Sequence, residues 1–166
     1  GLRFAQTELY KQEICLLNVR PINEAYIIEC VKMVNMTEKE RLTETITPGM
    51  VRIENTRLLP FLQGQQIFVW NEGLQKKQLA KIFGNGIEFN MLDVSTEIAS
   101  LIPSVQGLSL IRVKEKSSIL RYSDSPSGEI DAFCNIFITY IQKKTSSIQE
   151  KDLLQAAIDL PQRCRI

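Results

Sequence analysis

The sequence predicts a mixed α/β domain built on one central sheet, and three stretches predict it. Ile14–Val19, Tyr26–Val34 and Arg41–Thr47 are apolar or alternating runs separated by short polar turns, the pattern of an antiparallel meander. Gln63–Asp93 passes from an apolar strand (Ile67–Trp70) through Asn71-Glu72-Gly73 into an amphipathic helix ending near Phe83. It then crosses Gly84-Asn85-Gly86 to a second apolar run, Ile87–Leu92. Ile130, Phe133, Cys134, Phe137, Ile138 and Ile141 form a full helical stripe.

Taken in order, residues 1–13 read as a polar lead-in. The first strand ends at Arg20-Pro21 and turns through Asn23-Glu24, and Asn35–Lys39 connects the second and third strands. Pro48-Gly49 closes the third. A proline inside Leu58–Leu62 signals a short helix or turn. Asp93 or Ser95 is suited to cap a helix over Thr96–Leu101, which Pro103 ends. Gln106–Ile119 holds a short apolar run and the charged patch Arg112–Lys116, and Tyr122–Gly128 reads as a polar loop. Ser146-Ser147 is expected to start a separate last helix, Ile148–Ile158.

Composition bounds the function. With 166 residues the chain is one domain by length, able to bury about 70% of its unfolded surface. A net charge of +1 supplies no long-range field for nucleic acid or an anionic membrane. The chain has no histidine, which excludes Ser-His-Asp and Cys-His triads, histidine-ligated zinc and a histidine base. Cys15, Cys30, Cys134 and Cys164 lack paired spacing, which speaks against a four-cysteine zinc site and for buried thiols in a reducing compartment. No apolar run approaches the length of a bilayer span and no signal-peptide pattern opens the chain. A cytoplasmic protein without membrane contact is expected.

Five strings, in order, resemble the DEDDh-type 3′–5′ exonucleases, the family of polymerase proofreading subunits. They are YIIECVKMV, TITPG, LLPFLQGQQIFVWNEG, MLDVSTEIA and GEIDAFCNIFITYI, within about residues 14–143. The resemblance implies a ribonuclease-H-like fold: a three-stranded antiparallel meander followed by strand–helix units, with helices on the sheet. It implies one exonuclease-like domain over 1–166, with a C-terminal helix at 146–160.

The family's chemistry uses four carboxylates on two metal ions and a histidine base. The matched positions carry Asn18 and Arg20 for the first motif, Gln75 for the second and Asp131 for the third, with Pro126 at the histidine position. No catalytic residue, no metal and no cofactor are therefore expected, Mg²⁺ or Mn²⁺ entering only if ligands have relocated to Glu29, Asp93, Asp124 and Asp131. Three readings follow: an inactive exonuclease-like module with a protein partner, a nucleic-acid-binding domain using Trp70, Asn71, Arg112 and Lys114, and a divergent nuclease. Each residue also has a plainer role. Asp131 suits a helix N-terminus, Asp93 a cap, Glu29 a local ion pair, Trp70 a core, and Arg112–Lys116 a solvated edge.

Overall fold

The structure, a computed structural model, describes residues 13–120 and 128–163, with side chains described to 116 and from 128 to 146. The lead-in 1–12, Asp124 and Pro126 in the polar loop, and Cys164 lie outside the described residues. Five strands form one mixed sheet: β1 (Ile14–Ile22), β2 (Ala25–Val34), β3 (Thr37–Ile46), β4 (Gln66–Val69) and β5 (Met91–Asp93). Their spatial order is β3-β2-β1-β4-β5. β1, β2 and β3 pair antiparallel, while β4 runs parallel to β1 and β5 parallel to β4. The three-stranded antiparallel meander is as the sequence predicts.

Turn chemistry sets the meander. Asn23 (φ 52°), and then Asn35 (φ 53°) with Met36 (φ 61°), adopt the left-handed conformation of tight hairpins. The second hairpin is shorter than the expected Asn35–Lys39 connection, and β3 starts at Thr37. Its Thr37–Arg41 half shows no alternation because all five residues are exposed on the outermost strand. Charged side chains there also guard a sheet edge.

Each face of the sheet is covered. Cys15, Leu17 and Val19 of β1 point to α1 (Leu58–Leu62) and α2 (Glu72–Phe83), joining Phe61, Leu79 and Ile82 in one core. Ile14 and Leu16 point the other way, to α3 (Ser95–Leu101), α4 (Leu110–Leu120) and α5 (Glu129–Arg163). There Phe68 lies 5.6 Å from Phe137 and Trp70 6.2 Å from Phe133, ring centre to ring centre. The expected helix over residues 148–158 is not separate: α5 is one helix of 35 residues. Hydroxyls are compatible with its interior because they bond back one turn, as Thr139 to the Asn135 carbonyl and Thr145 to the Ile141 carbonyl. The expected strand at Ile87–Leu92 is likewise reduced to Met91–Asp93. No helix among the described residues is long and apolar enough to cross a membrane.

The three described cysteines are buried and free. Burial, reinforced by Cys15, pushes the Cys30 thiol well up, and burial pushes Cys134 up to about 12. Both behave as small apolar side chains.

Phe137 is 1% exposed in the centre of the α5 stripe. Phe137→Ala is expected to cost about 3–5 kcal/mol, the usual penalty for removing a core aromatic. A urea midpoint close to the parent's would show that the stripe does not carry the core.

Candidate functional site

Period-two geometry turns the α5-facing side of β1 from apolar to polar as the strand proceeds: Ile14 and Leu16 are followed by Asn18 and Arg20. Glu29, paired with Asn18 across the β1–β2 ladder, adds an acid on the same side. Above them stands the first turn of α5. The Arg20 Nε lies 3.0 Å from Glu29 and 3.7 Å from Glu129. Burial, opposed by Arg20 and reinforced by Glu29, holds the Glu129 carboxyl above the usual range. The Asn18 amide lies close enough to hydrogen-bond the Glu129 carboxylate, which opposes this rise.

Gln75 joins this group from α2 and is itself 2% exposed. The parallel ladder ends at Leu17↔Val69. Beyond it the Val19 N–H donates to Gln75 Oε1 at 2.8 Å, while Gln75 Nε2 donates to the Trp70 carbonyl at 3.2 Å and to Asn18 Oδ1 at 3.4 Å. One amide thus ties the end of β1 to the end of β4 where strand pairing stops. The task needs a donor and an acceptor on the same side chain, which a carboxylate lacks.

Asn18, Arg20 and Gln75 therefore come together. Asp131 is near but differently engaged. Its carboxylate accepts from Arg41 Nη2 on β3 at 2.7 Å, and Arg41 also holds Glu38 at 2.6 Å. Two residues along a helix turn the side chain by about 200°, so the acid beside Arg20 is Glu129. Sequence matching favoured Asp131 because Asp-Ala recurs in the family string, and nothing local distinguishes the two acids.

The remaining candidates separate. Trp70 is 3% exposed, donates Nε1–H to the Leu108 carbonyl at 2.8 Å and packs against Phe133, so its ring fills core volume. Asn71 is exposed, in the left-handed region (φ 69°), with Oδ1 accepting from Leu74 N at 3.2 Å as the cap of α2. Arg112 pairs with Glu115 one turn on, at 3.0 Å, and Lys114 lies within electrostatic reach of Glu129. The two cations are not one basic strip. Asp93 sits on β5, where Oδ2 accepts from Glu72 N and Oδ1 from Ser95 N, both at 2.9 Å, so it holds the starts of α2 and α3 together. Burial pushes its carboxyl up, but the bonds from Ser95 and the Glu72 N–H outweigh this and leave it below the usual range.

A divalent-metal pair fits this residue set poorly. The residues that come together are Asn18, Arg20, Gln75, Glu29 and Glu129, with the guanidinium set between the two acids. Two unit charges 4 Å apart interact by about 4 kcal/mol at the dielectric of a protein surface, so a dication beside the guanidinium faces roughly twice that in repulsion. Among the described residues no three His, Cys, Asp or Glu side chains are grouped to hold a metal. Of the relocated set, Asp124 lies outside the described residues, and Glu29, Asp93 and Asp131 are engaged by Arg20, two helix starts and Arg41 respectively.

Two clefts adjoin the group. One, of about 280 Å³, lies between α2 and α4 over Asn18, Gln75 and Glu129. The other, of about 520 Å³, lies beyond the ends of β4 and β5 and is lined by Asn71, Asp93, Thr96 and Gln106. No protein-family model, curated protein or solved structure matches this chain.

Gln75→Glu is expected to lower stability by about 1–3 kcal/mol, since a carboxylate cannot donate to the Trp70 carbonyl. Chemical denaturation at pH 7 checks this, an unchanged midpoint counting against the strut. A depressed carboxyl contributes stability that is present above the ordinary aspartate pKa of about 3.9 and lost as pH falls through its folded value. Asp93→Asn is therefore expected to be less stable than the parent at pH 7. That gap should close below about pH 4, and a gap unchanged between pH 7 and 3 would show that the charge contributes nothing.

Proposed function

We propose that this chain is a catalytically inactive exonuclease-like domain of ribonuclease-H-like type, serving as a structural or protein-interaction module. The observation that carries this is Arg20: a guanidinium, paired to Glu29 and Glu129, stands where the family's first motif has a metal-binding acid. The strand order β3-β2-β1-β4-β5, with one meander and two added parallel strands, supports the fold side of the reading. Gln75 supports the loss of chemistry, because its amide is committed to backbone groups of two strands.

The arrangement disfavours hydrolysis by charge and by reach. Water activation by two metals needs clustered carboxylates, and the three acids nearest the group are held by arginines, Glu29 and Glu129 by Arg20 and Asp131 by Arg41. A nucleic-acid role is less favoured, because Trp70 is buried and Arg112 is paired.

Purified protein incubated with end-labelled single- and double-stranded DNA and RNA, with Mg²⁺ or Mn²⁺, is expected to give no laddering. Metal-dependent digestion that survives further purification and vanishes in Glu129→Ala or Asp131→Ala overturns the reading. Salt-sensitive retention of the oligonucleotide without cleavage would establish the nucleic-acid-binding alternative.

A further inference from the structure

We infer that the open edge of β5 is the docking surface of this module and takes an extended segment of a partner protein as a sixth strand. The inference rests on the non-catalytic reading and names the surface through which it would act.

The two edges of the sheet are built differently. Along β3 the exposed run Glu38–Arg41 alternates in charge, a usual protection against edge pairing. The other edge is the segment Ile87–Asp93, IEFNMLD, which has no lysine, arginine or proline. Of its two acids, Asp93 is occupied by the starts of α2 and α3, which leaves Glu88. This edge is unguarded.

Its backbone is also open. Burial along the segment alternates as in a strand: Ile87 and Phe89 are half-buried and Met91 is buried, while Glu88 and Asn90 are exposed. Yet only Met91–Asp93 are paired, because the ladder with β4 starts at Ile67. Among the described residues, the backbone of Glu88 and Phe89 has no partner in another backbone segment. The Val94 N–H donates to the Val69 carbonyl at 3.0 Å, which fixes the parity of the parallel ladder. Residues 92 and 94 therefore turn their backbone groups to β4, and Met91 and Asp93 turn theirs to the open side. Outward N–H and C=O groups in a row are complementary to an extended backbone.

Selectivity comes from a cleft at the same edge. About 420 Å³ in volume, it lies between α2 and this segment, lined by Leu79, Ala80, Ile87, Phe89 and Met91, with Lys76 beside them. A strand added beside β5 points every second side chain to the α2 side, so one apolar residue of it enters the cleft. A second copy of the chain is the poorer occupant. Pairing two β5 edges about a two-fold axis lays α2 beside its own mate, each turning its Lys76 side to the other. The strand that would fill each cleft is then already covered by its own α2.

The test is a titration of the full, ¹⁵N-labelled chain with the blocked pentapeptide acetyl-Thr-Thr-Leu-Thr-Thr-amide, whose leucine fixes the register. Amide shifts are expected at Ile87–Asp93 and at Lys76–Ala80. Two further peptides carry N-methyl groups on alternate amides, one on the odd positions and one on the even. A strand bonds its neighbour through one set only. One methylated peptide should therefore lose affinity by about tenfold or more while the other keeps it. Ala80→Gln fills the cleft with a helix-compatible residue, and Phe89→Lys guards the edge as β3 is guarded. Each is expected to weaken binding by about tenfold or more, and thermal melts separate lost binding from lost fold. The inference is overturned by no shifts at millimolar peptide, by shifts confined to the Thr96–Gly107 cleft, or by equal binding of the two methylated peptides. It is equally overturned by affinity unchanged in both variants, or by concentration-dependent self-association through Ile87–Asp93. Absent docking with absent nuclease activity removes this inference alone, whereas metal-dependent cleavage removes the non-catalytic reading as well.

Discussion

The parallel pairing of β1 with β4 is the constraint on which the structure depends. Ile14–Val19 is buried on both sides and flanked by an antiparallel neighbour and a parallel one. A strand in that position must be apolar at successive residues, and helices must cover both faces. The meander supplies the antiparallel half through two-residue turns. The parallel half requires the chain to cross from β3 through α1 before re-entering as β4, and that crossover brings the start of α2 above the end of β1. Asn18, Gln75 and the first turn of α5 meet there for this reason.

Where the ladder stops, side chains take over from strand pairing. Gln75 satisfies a β1 amide and a β4 carbonyl, and Asp93 satisfies the first amides of two helices. Unpaired backbone groups in this half-buried zone would cost more than the side-chain bonds gain, so the amide and the carboxylate are better read as structural closures than as idle remnants. The paired arginines act in the same region. Arg20 and Arg41 each bridge the sheet to an acid in the first turn of α5. Partly buried pairs of this kind add little net stability, because desolvation offsets attraction. They do fix how the helix enters, since the alternative leaves a carboxylate facing the sheet without a partner.

The polar group performs local structural work. The crossover brings one arginine, two amides and the acids Glu29 and Glu129 together, beside a concave surface whose rim includes Leu74 and Ile111.

The sequence by itself determined the strands and the principal helices. Turn residues at Asn23 and Asn35 and the stripe through Phe137 are local signals, set by steric and periodic rules that hold for a short peptide stretch. It also excluded histidine chemistry, since the chain contains no histidine. Boundaries were less legible: Thr37–Arg41 shows no alternation because both sides of an edge strand face water, and Ser146-Ser147 reads as a helix start when taken alone although the helix runs through it. Tertiary structure alone decided which acid faces the group, because Glu129 and Asp131 share one turn and only the helix's rotation over the sheet tells them apart. It also decided that Trp70 is core and that Gln75 is a strut, since both depend on where β4 ends relative to β1. Such facts belong to contacts between residues far apart in the chain, and those contacts exist only after the sheet has closed.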